Sequence, residues 1–466
     1  MSSDAKLIIL GSGPGGYVAA IRAGQLGLKT ILIEKESVLG GTCLHWGCIP
    51  TKAILHQAHL FREIKEAGKN GILCAEPAVD MNLLMEYKQK IIDIMEGGIK
   101  ALLKKFKVEV VNARGRLEGK GKVECEFVGG RKETLEAEHI LLATGSEARS
   151  IPGIEFDGKT IISNKEMLVM KQLPESLAVI GAGAVGVEFA TVMNSFGKEV
   201  SILEMLPRIV PLEDEEVSKE LTRAFKKKKI QVLAEAMVKK IDVENGRAVI
   251  TYERKGAENR LEAEKVLVAT GRKPNTSGIG LEDAGVKTER GFVIVNDKFQ
   301  TSVENIWAIG DIIPAPQLAH AASAEGINAV ERIAGMNPIP LNLDLIPGAT
   351  YCEPQIASVG MTEAEAVAKG HKVKTGMCRF SALAKAQILG SPEGFVKVVA
   401  DEESDNLLGL HIIGPDATEM IGEGVAALTA GMKISDLSRA VHPHPTLSEV
   451  VHEAFEAVEG KCIHST

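Results

Sequence analysis

Short apolar runs that break into glycine recur along the chain. Leu7-Ile8-Ile9-Leu10 runs into Gly11-Ser12-Gly13-Pro14-Gly15-Gly16, and Ala178-Val179-Ile180 runs into Gly181-Ala182-Gly183-Ala184-Val185-Gly186. Each reads as a strand, a glycine-rich turn and the start of a helix. A second strand follows in both cases and ends in glutamate, at Glu34 and at Glu204. A third pair, Leu141-Leu142-Ala143-Thr144-Gly145 and Leu267-Val268-Ala269-Thr270-Gly271, repeats one strand-to-loop ending. The chain thus carries two similar α/β units. Gly11 to Ala143 spans 132 positions and Gly181 to Ala269 spans 88, so the first unit holds 44 extra positions.

Between residues 53 and 106 the apolar positions, among them Leu83, Leu84, Ile91, Ile94, Met95, Ile99, Leu102 and Leu103, have helical spacing and predict a pair of long helices. From Pro274 to residue 311 the pattern is irregular with short strands, and a helix is predicted over 319–334. The prolines of 338–347 mark a boundary. Beyond it, strand patterns at 395–399 and 407–413 alternate with helical ones at 419–432 and 447–458, as in a separate α+β domain.

Composition narrows the class. With 466 residues, 45% of them apolar, the chain has material for two or three cored domains. Net charge is −8, and the one dense basic run, 226–229, precedes an apolar stretch at 230–233. We read that run as a solvated helix end, which leaves no nucleic-acid patch. No apolar run reaches the roughly 18 residues of a membrane span, and the start has no charged-then-apolar leader. Seven scattered cysteines are no secreted disulfide framework, so a reducing, cytoplasmic setting is expected.

The extra positions of the first unit contain Gly40-Gly41-Thr42-Cys43-Leu44-His45-Trp46-Gly47-Cys48-Ile49-Pro50-Thr51-Lys52. A disulfide between Cys43 and Cys48 would close a small loop and remove little unfolded-state entropy, so electron transfer is its better use. Cys48 lies two residues before Pro50, which suits a first helical turn, and a thiolate there would feel the positive end of the helix. The pair alone fits two ordinary buried thiols equally well. Its neighbours favour redox chemistry.

Those neighbours are two fingerprints, Gly11, Gly13, Gly16 and Gly181, Gly183, Gly186, each with a glutamate 18 positions past its last glycine. The first glycine makes the tight turn, the second admits a pyrophosphate, and the third lets helix and strand pack closely. Two dinucleotides are expected. Glu34 and Glu204 would accept ribose hydroxyls, and a carboxylate at Glu204 would repel a 2′-phosphate, favouring NAD over NADP.

Taken together these motifs resemble the pyridine-nucleotide disulfide oxidoreductases over essentially the whole chain, most closely the members that oxidise dihydrolipoamide with NAD. The resemblance implies two Rossmann-like FAD/NAD(P)-binding domains plus a C-terminal α+β dimerisation domain. Its boundaries are 1–148 for the FAD domain with the redox disulfide, 149–273 for the NAD domain, 274–346 for the second part of the FAD domain and 347–466 for dimerisation. It implies FAD contacts at Gly11, Gly13, Gly16, Glu34, Lys52, Thr144, Gly145, Asp311 and Ala319, and NAD contacts at Gly181, Gly183, Gly186, Glu188, Glu204 and Gly271. Lys52 and Glu188 would pair near the flavin's reactive edge. No metal is expected. Cys43 and Cys48 would form the exchanging disulfide, and His444-Pro445-Thr446-Leu447-Ser448-Glu449 would supply acid/base chemistry. A dithiol needs a base that takes a thiol proton near neutral pH, and histidine suits it, with Glu449 orienting the imidazole. His442 competes on chemistry alone. A homodimer is implied, with a separate lipoyl-bearing protein or domain of a 2-oxo-acid dehydrogenase or glycine cleavage complex as partner. His45-Trp46 and Thr51 depart from the family's usual residues. Reduction of a glutathione-type disulfide or of mercuric ion, and a redox-sensing flavoprotein, are the competing readings. The single C-terminal cysteine, Cys462, lacks the vicinal partner that mercuric reductases use.

Overall fold

A computed structural model describes residues 5–119 and 121–464. It divides into two compact units: Met1–Ala53, Asn82–Arg149 and Arg272–Leu343 form the first, and Ile54–Met81, Ser150–Gly271 and Asp344–Thr466 the second.

The first unit is built on a mixed sheet. Strand Ala5–Leu10 lies between Thr30–Glu34 and Lys132–Leu142, all parallel, with Glu109–Asn112 added beyond Thr30–Glu34 and Ile306–Ala308 beside Lys132–Leu142. Leu7, Ile8, Ile9, Leu32, Ile140, Leu141 and Leu142 are fully buried, as expected of apolar runs covered on both faces. The first half of Lys132–Leu142 also continues into an antiparallel layer, Lys122–Glu126 then Arg114–Leu117. Two long helices occur where the spacing predicts them: Met81–Lys105 lies almost wholly in this unit, and most of Cys48–Glu66 belongs to the second. Met81–Lys105 buries Leu84, Lys88, Ile92, Glu96, Ile99 and Leu103, a stripe stepping by three or four.

The second unit repeats the pattern: Ser176–Ile180 sits between Glu199–Leu203 and Lys265–Val268, all parallel, with Gln231–Leu233 beyond Glu199–Leu203. A three-stranded antiparallel meander, Ala236–Glu244, Arg247–Arg254 and Ala257–Ala263, is inserted before Lys265–Val268. The C-terminal part carries a five-stranded antiparallel sheet in the order Gly348–Thr350, Gln355–Gly360, Leu407–Gly414, Phe395–Asp401, Val373–Arg379. Helices Ala417–Thr429 and Glu449–Val458 pack on it around Phe380, Leu410, Ile412, Val450 and Phe455. Strand Phe395–Asp401 is buried at every position, including Lys397. Burial alone would lower the Lys397 amine, yet bonds to Glu216 and Glu363 and the charge of Asp214 hold it above its ordinary value.

The solvated basic run needs a correction. Lys226 and Lys227 are exposed in the last turn of helix Glu215–Lys227, but Lys228 turns inward, its Nζ 3.2 Å from Glu353 Oε1. Burial, with Arg62 adding, lowers its amine to about 7. Among the described residues no helix is long and apolar enough to cross a membrane.

Candidate active site

Each glycine turn is held by its own strand-end glutamate. Glu34 Oε2 accepts from the Ser12 N–H at 2.8 Å and the Ser12 hydroxyl at 2.7 Å, and Oε1 accepts from the Glu36 N–H at 2.9 Å. In the second unit Glu204 Oε2 accepts from the Ala182 N–H at 2.7 Å and Oε1 from the Leu206 N–H at 2.9 Å. A carboxylate has about four acceptor sites, so both keep capacity for ribose hydroxyls. A Cβ at Gly16 would strike the Gly11 carbonyl, and one at Gly186 the Gly181 carbonyl, so these helices start hard against their strands. At Gly13 and Gly183 an added Cβ would meet nothing within 4 Å, which leaves the turn open where a helix N-terminus favours phosphate. Both cradles fit a dinucleotide.

The cysteine segment rests on the first of these turns. The Gly40 N–H donates to the Ser12 carbonyl at 3.1 Å, and Gly41, at φ +61°, lies so close that a Cβ would come within 2.7 Å of Gly13 Cα. Cys43 follows on a short helix, Gly41–Trp46, which the sequence pattern did not reveal, and Cys48 is the first residue of Cys48–Glu66. His45 anchors the segment through its Nε2, 2.8 Å from the Leu39 carbonyl, while the Leu39 N–H donates to Glu96 at 3.0 Å. Thr51 is buried in the helix.

Both cysteines stand as partly buried thiols. The Cys43 thiol is raised far above its ordinary range by its hydrogen bond with Cys48, then by burial and the charge of Cys48, with Lys52 opposing. The Cys43 thiol therefore holds its proton, and Cys48, at the first position of its helix, stands where a helix N-terminus favours an anion.

Thr144, Gly145 and Asp311 meet in the first unit. The Thr144 hydroxyl donates to the Asn275 carbonyl at 2.8 Å, Asn275 Nδ2 donates back to the Thr144 carbonyl at 3.0 Å, and the Asn275 N–H reaches the Gly145 carbonyl at 2.8 Å. Asp311 accepts from the Ser146 hydroxyl and lies 3.4 Å from Arg272 Nε, which also donates to Ser146 Oγ at 2.6 Å. The Gly310 N–H donates to Glu325 at 2.7 Å, and burial, with the Asp311 charge adding, raises the Glu325 carboxyl to about 7. Ala319 opens helix Ala319–Ile333, where N–H groups lack intrahelical partners. Sequence reasoning missed Ser146, Arg272, Asn275 and Glu325. Asn275 is 131 positions from Thr144, and no local pattern announces such a pair.

In the second unit Glu188 is no surface charge: it is buried on helix Ala184–Ser195 and accepts from the Tyr351 N–H at 3.0 Å. Gly271 takes φ +114° after its strand. His444 Nδ1 lies 2.9 Å from Glu449 Oε1, and Glu449 Oε2 accepts from the Thr446 N–H at 2.8 Å. Burial would raise the Glu449 carboxyl, but the Thr446 N–H and His444 hold it below the usual carboxylate range. The His444 side chain is 72% exposed. His442, by contrast, is 10% exposed and has Nε2 3.1 Å from Glu423 and Nδ1 2.9 Å from the Ala440 carbonyl, so both its nitrogens are engaged. That separates the two histidines.

The family model for pyridine nucleotide-disulphide oxidoreductases matches residues 5–326, and the model for their dimerisation domain matches residues 346–455. A dihydrolipoyl dehydrogenase of Bacillus subtilis is 44% identical over 100% of both chains, and one of Zymomonas mobilis is 42% identical with the same coverage. The solved structure of LpdA from Mycobacterium tuberculosis superposes with a TM-score of 0.90 at 25% identity, covering 97% of this chain and 99% of that one.

Proposed function

The chain belongs to the pyridine nucleotide-disulphide oxidoreductases, and we propose that it oxidises a protein-bound dihydrolipoyl group through Cys43 and Cys48, with FAD and NAD+ as electron acceptors in turn. The observation that carries the reading is the cysteine pair seated on the first glycine turn, with Cys48 at the first position of a long helix. The two full-length relatives named dihydrolipoyl dehydrogenase agree with it.

Starting from the oxidised pair, His444 takes the proton of one substrate thiol, its Nδ1 held by the Glu449 carboxylate, which stabilises the imidazolium. The new thiolate attacks Cys43 Sγ, the Cys43–Cys48 bond breaks, and Cys48 leaves as thiolate at the helix N-terminus. His444 passes the first proton to solvent and takes that of the second substrate thiol, whose thiolate attacks the lipoyl sulfur of the mixed disulfide. This releases the lipoyl disulfide, and His444 returns the second proton to the Cys43 thiolate. FAD, when bound, carries the electron pair onward to NAD+. Gly11, Gly13, Gly16, Glu34, Lys52, Thr144, Gly145, Asp311 and Ala319 would hold it. Gly181, Gly183, Gly186, Glu188, Glu204 and Gly271 would hold NAD.

We retain the division into 1–148, 149–273, 274–346 and 347–466, whose last boundary agrees with the start of the matched dimerisation domain at residue 346. The matched dimerisation domain supports a homodimer, whose external partner is a lipoyl-bearing protein or domain in the cytoplasm. An anaerobic thiol count on the FAD-loaded protein tests the reading. Dihydrolipoamide should expose two additional reactive thiols per chain, and excess NAD+ should remove them. A count that stays constant under both additions overturns it.

Glu204 sets the coenzyme. Replacing it by alanine removes a charged acceptor, a loss of about 1.5 to 3 kcal/mol, or roughly tenfold to a hundredfold in NAD affinity. Equal turnover of NADPH and NADH by the unaltered protein contradicts this assignment.

A further inference from the structure

Away from the cysteine segment, the last residues of the described chain fold back onto helix Glu449–Val458. Cys378 lies near the end of strand Val373–Arg379, directly under that helix. At Gly376, two residues earlier on the same face, an added Cβ would strike the Ala454 carbonyl, so strand and helix touch backbone to backbone. After the helix the chain reverses at Gly460, φ +69°, and returns with Cys462 and His464. Glu453 gathers this return. Its Oε2 accepts from the Cys462 thiol at 2.9 Å and from the N–H groups of Ile463 and His464 at 3.2 and 3.3 Å, and Oε1 lies 2.6 Å from His464 Nδ1. Cys378 is fully buried and Glu453 is 7% exposed.

The sulfurs of Cys378 and Cys462 and a Glu453 oxygen lie within 4.8 Å of one another. Two sulfurs at about 2.3 Å from one tetrahedral zinc sit roughly 3.8 Å apart, so side-chain rotation closes the set without moving the backbone. His464 is 63% exposed and can swing its ring from the carboxylate onto an ion. We propose that Cys378, Glu453, Cys462 and His464 form a structural site for a thiophilic divalent cation of the zinc type. Two thiolates, an imidazole and a carboxylate suit zinc and do not suit magnesium or calcium. Binding releases two thiol protons to solvent and involves no redox step. The ion would fasten the segment after Gly460 to the helix whose first residue, Glu449, holds His444.

The two halves of the test use the FAD-loaded protein without oxygen. Cys43→Ser/Cys48→Ser removes the other dithiol, which would itself bind thiophilic metals. Cobalt(II), titrated into that variant, should give thiolate-to-cobalt and tetrahedral ligand-field absorption at one equivalent per chain, displaced by zinc(II). Adding Cys462→Ser, at a half-exposed position, should weaken cobalt binding by at least about a hundredfold, and Cys378→Ser should do the same. Retained flavin shows that each variant is folded. No tetrahedral cobalt signal in the parent variant, or an equal signal after either added substitution, overturns the proposal. So does a Cys378–Cys462 disulfide found by mass spectrometry in protein isolated under reducing conditions. None of these readouts depends on lipoamide turnover.

Discussion

Replacing either Cys43 or Cys48 with serine will lower lipoamide turnover by about ten-thousandfold or more while leaving FAD bound. Each sulfur does something an oxygen cannot. In the proposed mechanism Cys43 accepts the substrate thiolate into a mixed disulfide and Cys48 leaves as an anion at the helix start, so the two act as one unit and their losses will not add. A serine side chain is smaller than the cysteine it replaces, so it fits either partly buried position. Flavin content and turnover on the same preparations check the expectation. Residual activity above about one per cent in either variant would show that electrons reach NAD+ without the pair.

The second large effect belongs to the His444–Glu449 dyad. His444→Ala removes the proposed base and should lower kcat/KM for dihydrolipoamide by roughly a hundredfold to ten-thousandfold. Glu449→Gln keeps the shape but loses the charge that steadies the imidazolium, and should fall within the same range. The pH dependence has a definite sign. The folded value of Glu449 is depressed, so the stabilisation from the Thr446 N–H and His444 is present above the ordinary carboxylate range. It is lost only as pH falls through that lower folded value. Loss of activity on the acid side at higher pH is then not the titration of Glu449. A pH–rate profile with a carboxylate-like limb in the ordinary range would contradict this.

Much of this was legible in the chain because it is local. A glycine turn reads as a turn wherever φ +100° at Gly11 and +97° at Gly181 are required, and an apolar run reads as a covered strand. The link between His444 and Glu449 spans five residues and survives as a motif. Elements that depend on distant packing were not legible. Ser146 and Arg272 reach Asp311 only once strand Lys132–Leu142 and the segment after Gly271 are brought together. Lys228 looked solvated because its partner, Glu353, is 125 positions away. Lys397 shows the same limit: a lysine in a fully buried strand is explained only by the carboxylates of Asp214, Glu216 and Glu363. The helix Gly41–Trp46 is too short to display a period.

Steady-state turnover of lipoamide, glutathione disulfide and Hg(II), each measured with NADH and with NADPH, tests the central claim most directly. The roles proposed for Cys43, Cys48, His444 and Glu204 predict that lipoamide with NADH has the highest kcat/KM, at least about a hundredfold above every other combination. Glutathione disulfide or Hg(II) reduced as fast as lipoamide, or NADPH used as well as NADH, would contradict it.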